Sequence, residues 1–201
     1  MKSMDMTEGR VLPLIVKFAV PLMLGDLFQQ LYIATDSAIV GQFAGGEALA
    51  AVGSTTFLIR LIIGLFVGIS AGASVVIAQS AGAKDYNKLK ASVHTMAGLT
   101  LLGGMILTVF GIAVTVPLLH LVSTPADIME QAAIYLKIYF AGSLFNLIYN
   151  VGSGILRSFG DSKRPFLYLV VSSVVNVVLD IVFIAGFSMG TAGAALATII
   201  A

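Results

Sequence analysis

Long apolar runs separated by short polar stretches set the pattern of this chain. A helix that crosses a bilayer needs about 20 mostly apolar residues. Five runs reach that length, over 13–40, 48–78, 91–119, 130–156 and 165–187. A sixth opens at Thr191 as TAGAALATIIA and runs for the 11 residues to Ala201 (191–201), the expected start of a further span in which the chain is cut. The pattern predicts an all-α integral membrane protein. Its residues 1–201 form one helical bundle of five complete transmembrane helices plus the start of a sixth.

Composition reinforces that pattern. The chain is 58% hydrophobic and 10% charged, whereas a soluble domain carries about 25% charged residues. Mean hydropathy is +1.02. A net charge of only +1 argues against nucleic acid as a partner, because phosphate binding needs clustered basic charge. With no cysteine in the sequence, disulfides, zinc–thiolate sites, iron–sulfur clusters and thiol catalysis are excluded. Tryptophan is also absent, so an interfacial aromatic belt must come from Tyr and Phe. The opening MKSMDMTEGR is polar and lacks a small-residue cleavage site behind a compact apolar core, so it is expected to be retained and the first run to be a true span.

The basic residues set an orientation. Lys2, Arg10 and Lys17 precede or open the first run, Lys84, Lys88 and Lys90 follow the second, and Arg157, Lys163 and Arg164 lie between the fourth and fifth. The alternate connections GQFAGGE, HLVSTPADIMEQ and GFSMG carry no Lys or Arg. This is the positive-inside distribution. It predicts a multi-pass protein of the cell membrane with a cytoplasmic N-terminus. KDYNKLK, from Lys84, reads as a solvated basic inner loop. Gly64, Gly68 and Gly72 recur at four-residue spacing, which predicts a close helix–helix packing stripe.

Polar groups inside the runs are the candidate chemistry. A charge near the bilayer centre costs about 2.5–3.5 kcal/mol on insertion scales, so such groups normally face a bundle interior or a hydrated cavity. Asp26, Asp36, Arg60 and Asp180 all fall within runs. In the first run Gln29, Tyr32 and Asp36 share a helix face, with Asp26 and Gln30 at its edge. In the fifth, Asn176 and Asp180 are four apart and share another, extended by Ser172 and Ser173. In the fourth, Tyr135, Tyr139, Ser143, Asn146, Asn150 and Ser153 form a polar line at helical spacing. Three striped helices predict a shared hydrated cavity. The alternative, helix glue, weighs equally for the Ser, Tyr and Asn residues, but a carboxyl is costlier to bury than an amide. Two carboxyls in one low-dielectric site suit uptake of a proton or, with an amide carbonyl and a hydroxyl nearby, of a hard cation. Either chemistry fits ion coupling better than catalysis, and no enzyme is expected. His94 and His120 lack a ligand pattern. GILRSFGDSK fails as a phosphate loop in spacing and through Asp161. It reads instead as a turn at Gly160 and Asp161, with Pro165 opening the next helix.

These residues resemble a known family. FAVPLMLGDLFQQLYIATDSAIVGQFAGGEALAAVG is similar to the first helix and following loop of MATE (multidrug and toxic compound extrusion) transporters. GISAGASVVIAQSAGAKD is similar to the end of their second helix. GILRSFGDSKRP, NVVLDIVFI and GTAGAALATII are similar to the stretch from helix four into helix six. The resemblance implies a twelve-helix exporter of two six-helix lobes, of which this chain is the N-terminal one, cut within helix six. It also implies organic cationic drugs as substrates, exchanged for sodium or protons as the coupling ion, with no cofactor. The C-terminal lobe, or an equivalent second half, is an implied partner beside the lipid bilayer. In the DinF-like branch the resemblance assigns ion coupling, by proton or bound sodium, to Asp36, Asn176, Asp180 and Thr198. It places Gln29, Tyr32, Tyr139, Asn146 and Asn150 along the substrate cavity and a helix-one hinge at Pro21. Two other readings stand beside it. One is a flippase for lipid-linked oligosaccharides, which favours a more cationic cavity. The other is a non-transporting scaffold in which the acids pair with Arg60 or Lys137.

Overall fold

The computed structural model describes residues 10–201. Lys2, counted above with the first basic group, lies outside them. Helix α1 (Val11–Ile39) runs on into a π-helical turn, Val40–Ala44. Then come α2 (Gly46–Gly82), α3 (Tyr86–Leu121), α4 (Met129–Ala141) and α5 (Ser143–Ser158). Helix α6 (Lys163–Asp180) continues into a second π-helical turn, Ile181–Gly186, and α7 spans Gly190–Ile200. All of these elements are helical, as a bilayer demands, because only a helix or a closed barrel satisfies its own backbone donors and acceptors in lipid. Among the described residues four helices are long and apolar enough to cross a membrane, and the α4–α5 pair adds a fifth span if it is followed through its bend.

That bend corrects the expectation of one straight span over 130–156. Helices α4 and α5 are inclined by 52°. Their junction is Gly142–Ser143, a residue pair at which sharp kinks concentrate. Gly142 is where α7 docks: a Cβ there would run into the side chain of Ile199. The connections are also tighter than the hydropathy pattern predicts. The GQFAGGE segment is the π turn closed by Gly45 at φ 93°, a conformation that favours glycine. KDYNKLK is mostly helix rather than loop, since Asp85 caps α3 by accepting the Lys88 N–H at 3.0 Å, so Lys88 and Lys90 lie on the first turns. The expected turn at Gly160 is present, with φ 76°. There Asp161 takes the Arg164 N–H at 3.1 Å and pairs with the Arg164 guanidinium at 3.2 Å.

Burial runs opposite to that of a soluble domain. Phe57, Leu61 and Leu65 on α2 are 64%, 61% and 66% exposed, while Thr55, Thr115, Ser143, Asn176 and Asp180 are fully buried. Apolar side chains lose nothing by facing lipid, whereas polar ones need partners inside. Leu58, Leu107, Leu119, Leu136, Phe140 and Leu147 form a core joining α2, α3, α4 and α5. A second cluster, with Val40, Val52, Tyr135, Ile184 and Ala194, ties the π turns to α2, α4 and α7. Helix α1 packs along α6, where Gly25 faces Phe166 and Leu169 and the Phe28 and Phe166 rings meet edge to face at 6.4 Å.

The glycine stripe is a second correction. Gly64, Gly68 and Gly72 have no atom of a neighbouring helix within 4 Å of where a Cβ would stand, and all three are exposed. Besides Gly142, three glycines that admit close neighbours are on α3. The Phe140 ring sits over Gly111, Leu144 over Gly104 and Phe66 against Gly103. Spacing reveals that small residues share a face; it does not reveal which face meets another helix.

Candidate functional site

Where α1 and α6 end and α7 begins its last turn, the bundle gathers polar side chains in its interior. Each of the two acids stands just before a break in regular helix. The Asp36 carbonyl accepts the N–H of Val40, the first residue of one π turn, and Asp180 immediately precedes Ile181, the first of the other. Single π-helical turns within helices recur at functional sites, because the extra residue redirects side chains. The two turns share one apolar cluster through Val40 and Ile184. In this arrangement the Asp36 and Asp180 side chains lie close enough to interact. Asp180 is fully buried and Asp36 half-buried.

Asn176, one turn before Asp180 and also fully buried, clamps the site. With its amide oriented to satisfy both ends, Nδ2 donates to Asp180 Oδ2 at 2.7 Å and Oδ1 accepts the Thr198 N–H at 3.2 Å. The Thr198 hydroxyl donates to the Ala194 carbonyl at 2.9 Å, and Tyr32 and Tyr135 lie nearby. One oxygen of each acid is left over. Asp36 Oδ1 and Asp180 Oδ1 are buried and meet no donor. An orphaned buried acceptor costs about 1–3 kcal/mol, more when charged. Two such oxygens on neighbouring acids favour uptake of a proton or a cation. Among the described residues no three His, Cys, Asp or Glu side chains form a metal cluster. A hard monovalent cation would have to draw its further ligands from neutral oxygens, and Thr198, Tyr32 and Tyr135 supply hydroxyls.

A second polar line leads away along α4 and α5. The Tyr135 and Tyr139 rings stack at 6.5 Å. Asn146 Nδ2 approaches Tyr139 Oη at 3.5 Å across the bend, and Asn150 Nδ2 donates to Asn146 Oδ1 at 2.8 Å. The bend breaks the rest of the predicted stripe. Ser143 is fully buried and faces Thr108 on α3 at 3.1 Å, a helix-joining contact, and Ser153 is buried as well.

Other sequence-predicted residues part company with the site. Gln29 and Gln30 are exposed, and so are Asp26 and Arg60, which therefore turn outward rather than into the interior of this bundle. Lys137 is exposed too. Neither Arg60 nor Lys137 forms an ion pair with Asp36 or Asp180, contrary to what a purely structural pairing of the acids requires. Pro21 lies within α1, which continues through it. His94 is exposed, its Nδ1 2.8 Å from the Lys90 carbonyl, and His120 is exposed near the end of α3. Sequence reasoning left Tyr135 out of the Thr198 group, although its place one turn before Tyr139 was the available signal. The π turns left no signal at all.

Comparison with known proteins shows which family the chain resembles. A family profile described as MatE matches residues 21–182. The chain is 38% identical over 187 residues to the probable multidrug resistance protein YoeA of Bacillus subtilis (strain 168), covering 91% of this chain and 40% of that protein. It is 34% identical over 203 residues to the probable multidrug resistance protein YpnP of the same organism, covering 100% of this chain and 45% of that one. A solved transporter of the MOP superfamily from Pyrococcus furiosus Vc1 (DSM3638) superposes with a TM-score of 0.89 at 33% identity, over 100% of this chain and 45% of its own. The chain thus spans less than half the length of these proteins.

Proposed function

This chain belongs to the MatE family of multi-pass membrane transporters, and from that premise we propose that it is the ion-binding lobe of a cation-coupled exporter of organic cations. The observation that carries the reading is the pair of buried, donor-less oxygens on Asp36 and Asp180, brought together from separate helices. A proton or sodium ion bound there relieves the repulsion between the two carboxylates and gives both oxygens a partner. Asn176 holds Asp180 in place and ties α6 to α7. Thr198, Tyr32 and Tyr135 complete a set of neutral oxygens around the ion.

Binding of the ion changes the net charge at the junction of α1, α6 and α7, and so alters which packing of these helices is preferred. Only such a difference in affinity between two conformations shifts their populations. Tyr139, Asn146 and Asn150 form the polar wall that faces substrate, and Gln29 and Tyr32 contribute from α1. Pro21 supplies the point at which α1 bends, because a proline leaves the carbonyl four residues earlier without its helical partner. The open, largely apolar flank of α1 meets lipid and the second half of the transporter. The basic ends of the helices lie on the cytoplasmic side. Inward movement of one ion down a 100 mV potential releases about 2.3 kcal/mol, enough to offset export of one monovalent drug against the same potential.

The test is ethidium efflux from cells expressing the full-length transporter that carries this lobe. Asp36→Asn and Asp180→Asn are each expected to reduce efflux to the level of cells without it, at unchanged membrane abundance. Wild-type efflux from both variants would overturn the coupling proposal.

A further inference from the structure

We propose that the groove between the first half of α1 and the start of α6 binds an anionic phospholipid. Its acyl chain would lie along α1 and its phosphate between Lys17 and Lys163. The groove is shallow and open along one side, with a volume of about 660 Å³. Its walls include Leu12, Val16, Val20 and Pro21, and its rim carries the two lysines. Leu12 is 74% exposed and Val16 53%, so this wall is unpartnered in the bundle.

Charge selects the occupant. Both lysines are exposed, and neither is in an ion pair with another described residue. The nearest acid in sequence, Asp161, is already committed to the Arg164 backbone N–H and guanidinium, so it does not neutralise Lys163. A wholly apolar helix, one without an acid facing the lysines, would strip water from two cations and return no negative charge, which is costly. A small organic cation would be repelled. An anionic phospholipid matches both halves: its chain covers the apolar wall, and its phosphate sits where basic pockets at the cytoplasmic ends of membrane helices take acidic headgroups. The lysines keep their heads at the interface while their stems line the groove, as long cationic side chains do at helix ends. This proposal is independent of the ion site, since none of its residues touches Asp36 or Asp180.

The test is native mass spectrometry of the purified full-length transporter that carries this lobe, released from detergent with added phosphatidylglycerol or phosphatidylcholine of identical acyl chains. The expected result is preferential retention of phosphatidylglycerol. In Lys17→Gln/Lys163→Gln that retention should be about thirtyfold weaker, the factor that two interfacial lysines supply. Val16→Trp, which fills the groove and keeps both charges, is expected to lose it as well; this variant reads out the site independently if the double lysine variant does not fold. Equal retention of the two lipids overturns the proposal, as does wild-type retention by either variant. Full displacement of the lipid by inorganic phosphate would reduce the site to a bare anion contact and also overturn it. A stable dimer that excludes lipid from the groove would assign the face to a second copy instead.

Discussion

Replacing Asn176 by leucine, a side chain of similar size, tests the clamp on which the site depends. Asn176 and Asp180 are both fully buried, and the amide gives Asp180 Oδ2 its donor at 2.7 Å. Asp180 Oδ1 has none, so the substitution leaves the second oxygen of a buried acid without a donor too. A hydrogen bond to a charged group contributes about 1.5–3 kcal/mol in soluble proteins, while interhelical polar contacts in membranes average about 0.6 and reach about 1.7 kcal/mol. Total burial and the absence of an alternative donor put Asn176→Leu just above the membrane range and within the soluble one, at about 2 kcal/mol. For a chain of this size that corresponds to a fall of roughly 4–8 °C in Tm, read as loss of the monodisperse peak on size exclusion after heating in detergent. The reasoning makes a sharper demand of the double variant. Asn176→Leu/Asp180→Leu removes both members of the pair, and exchanging both partners for apolar groups of like shape is nearly neutral. The double variant should therefore melt above Asn176→Leu alone. If the two losses simply add, to within about 0.5 kcal/mol, the clamp has no energetic reality and the account of the site fails with it.

Two further outcomes follow from packing. Gly111→Val drives a side chain into the Phe140 ring and is expected to cost about 1–3 kcal/mol. Gly68→Ala meets open space and is expected to be neutral or to gain up to about 1 kcal/mol of helix propensity; detergent melts that rank the two in the opposite order would refute the assignment of packing faces. At the start of α6, Asp161→Ala should lose about 1 kcal/mol of capping and Asp161→Asn much less, since an amide oxygen caps as well. Equal losses in the same melting assay would transfer the role to the Arg164 ion pair.

The membrane character of the chain and its order of spans were legible because lipid imposes one rule: a spanning segment is long, apolar and helical. The shared face of Asn176 and Asp180 was legible for a similar reason, as four residues are just over one helical turn. The turn at Gly160 was visible in its residue types, though the extension of α3 back to Tyr86 turned on one Asp85 hydrogen bond. Periodicity, however, is a property of a single helix. It put Asp36 on the polar face of the first run and Asp26 at its edge, and the structure leaves Asp36 half-buried and Asp26 exposed. It placed Gly64, Gly68 and Gly72 in a stripe as convincing as that of Gly104 and Gly111, but the neighbours Leu144 and Phe140 come from helices distant in sequence. It read 130–156 as one rod, whereas the chain bends at Gly142, against which Ile199 of α7 packs. What the chain determined alone is which surfaces each helix possesses, since those follow from covalent order and helical pitch. Which of those surfaces meet, and so which carboxyl oxygens are left together without donors, was settled by contacts between residues far apart in the sequence.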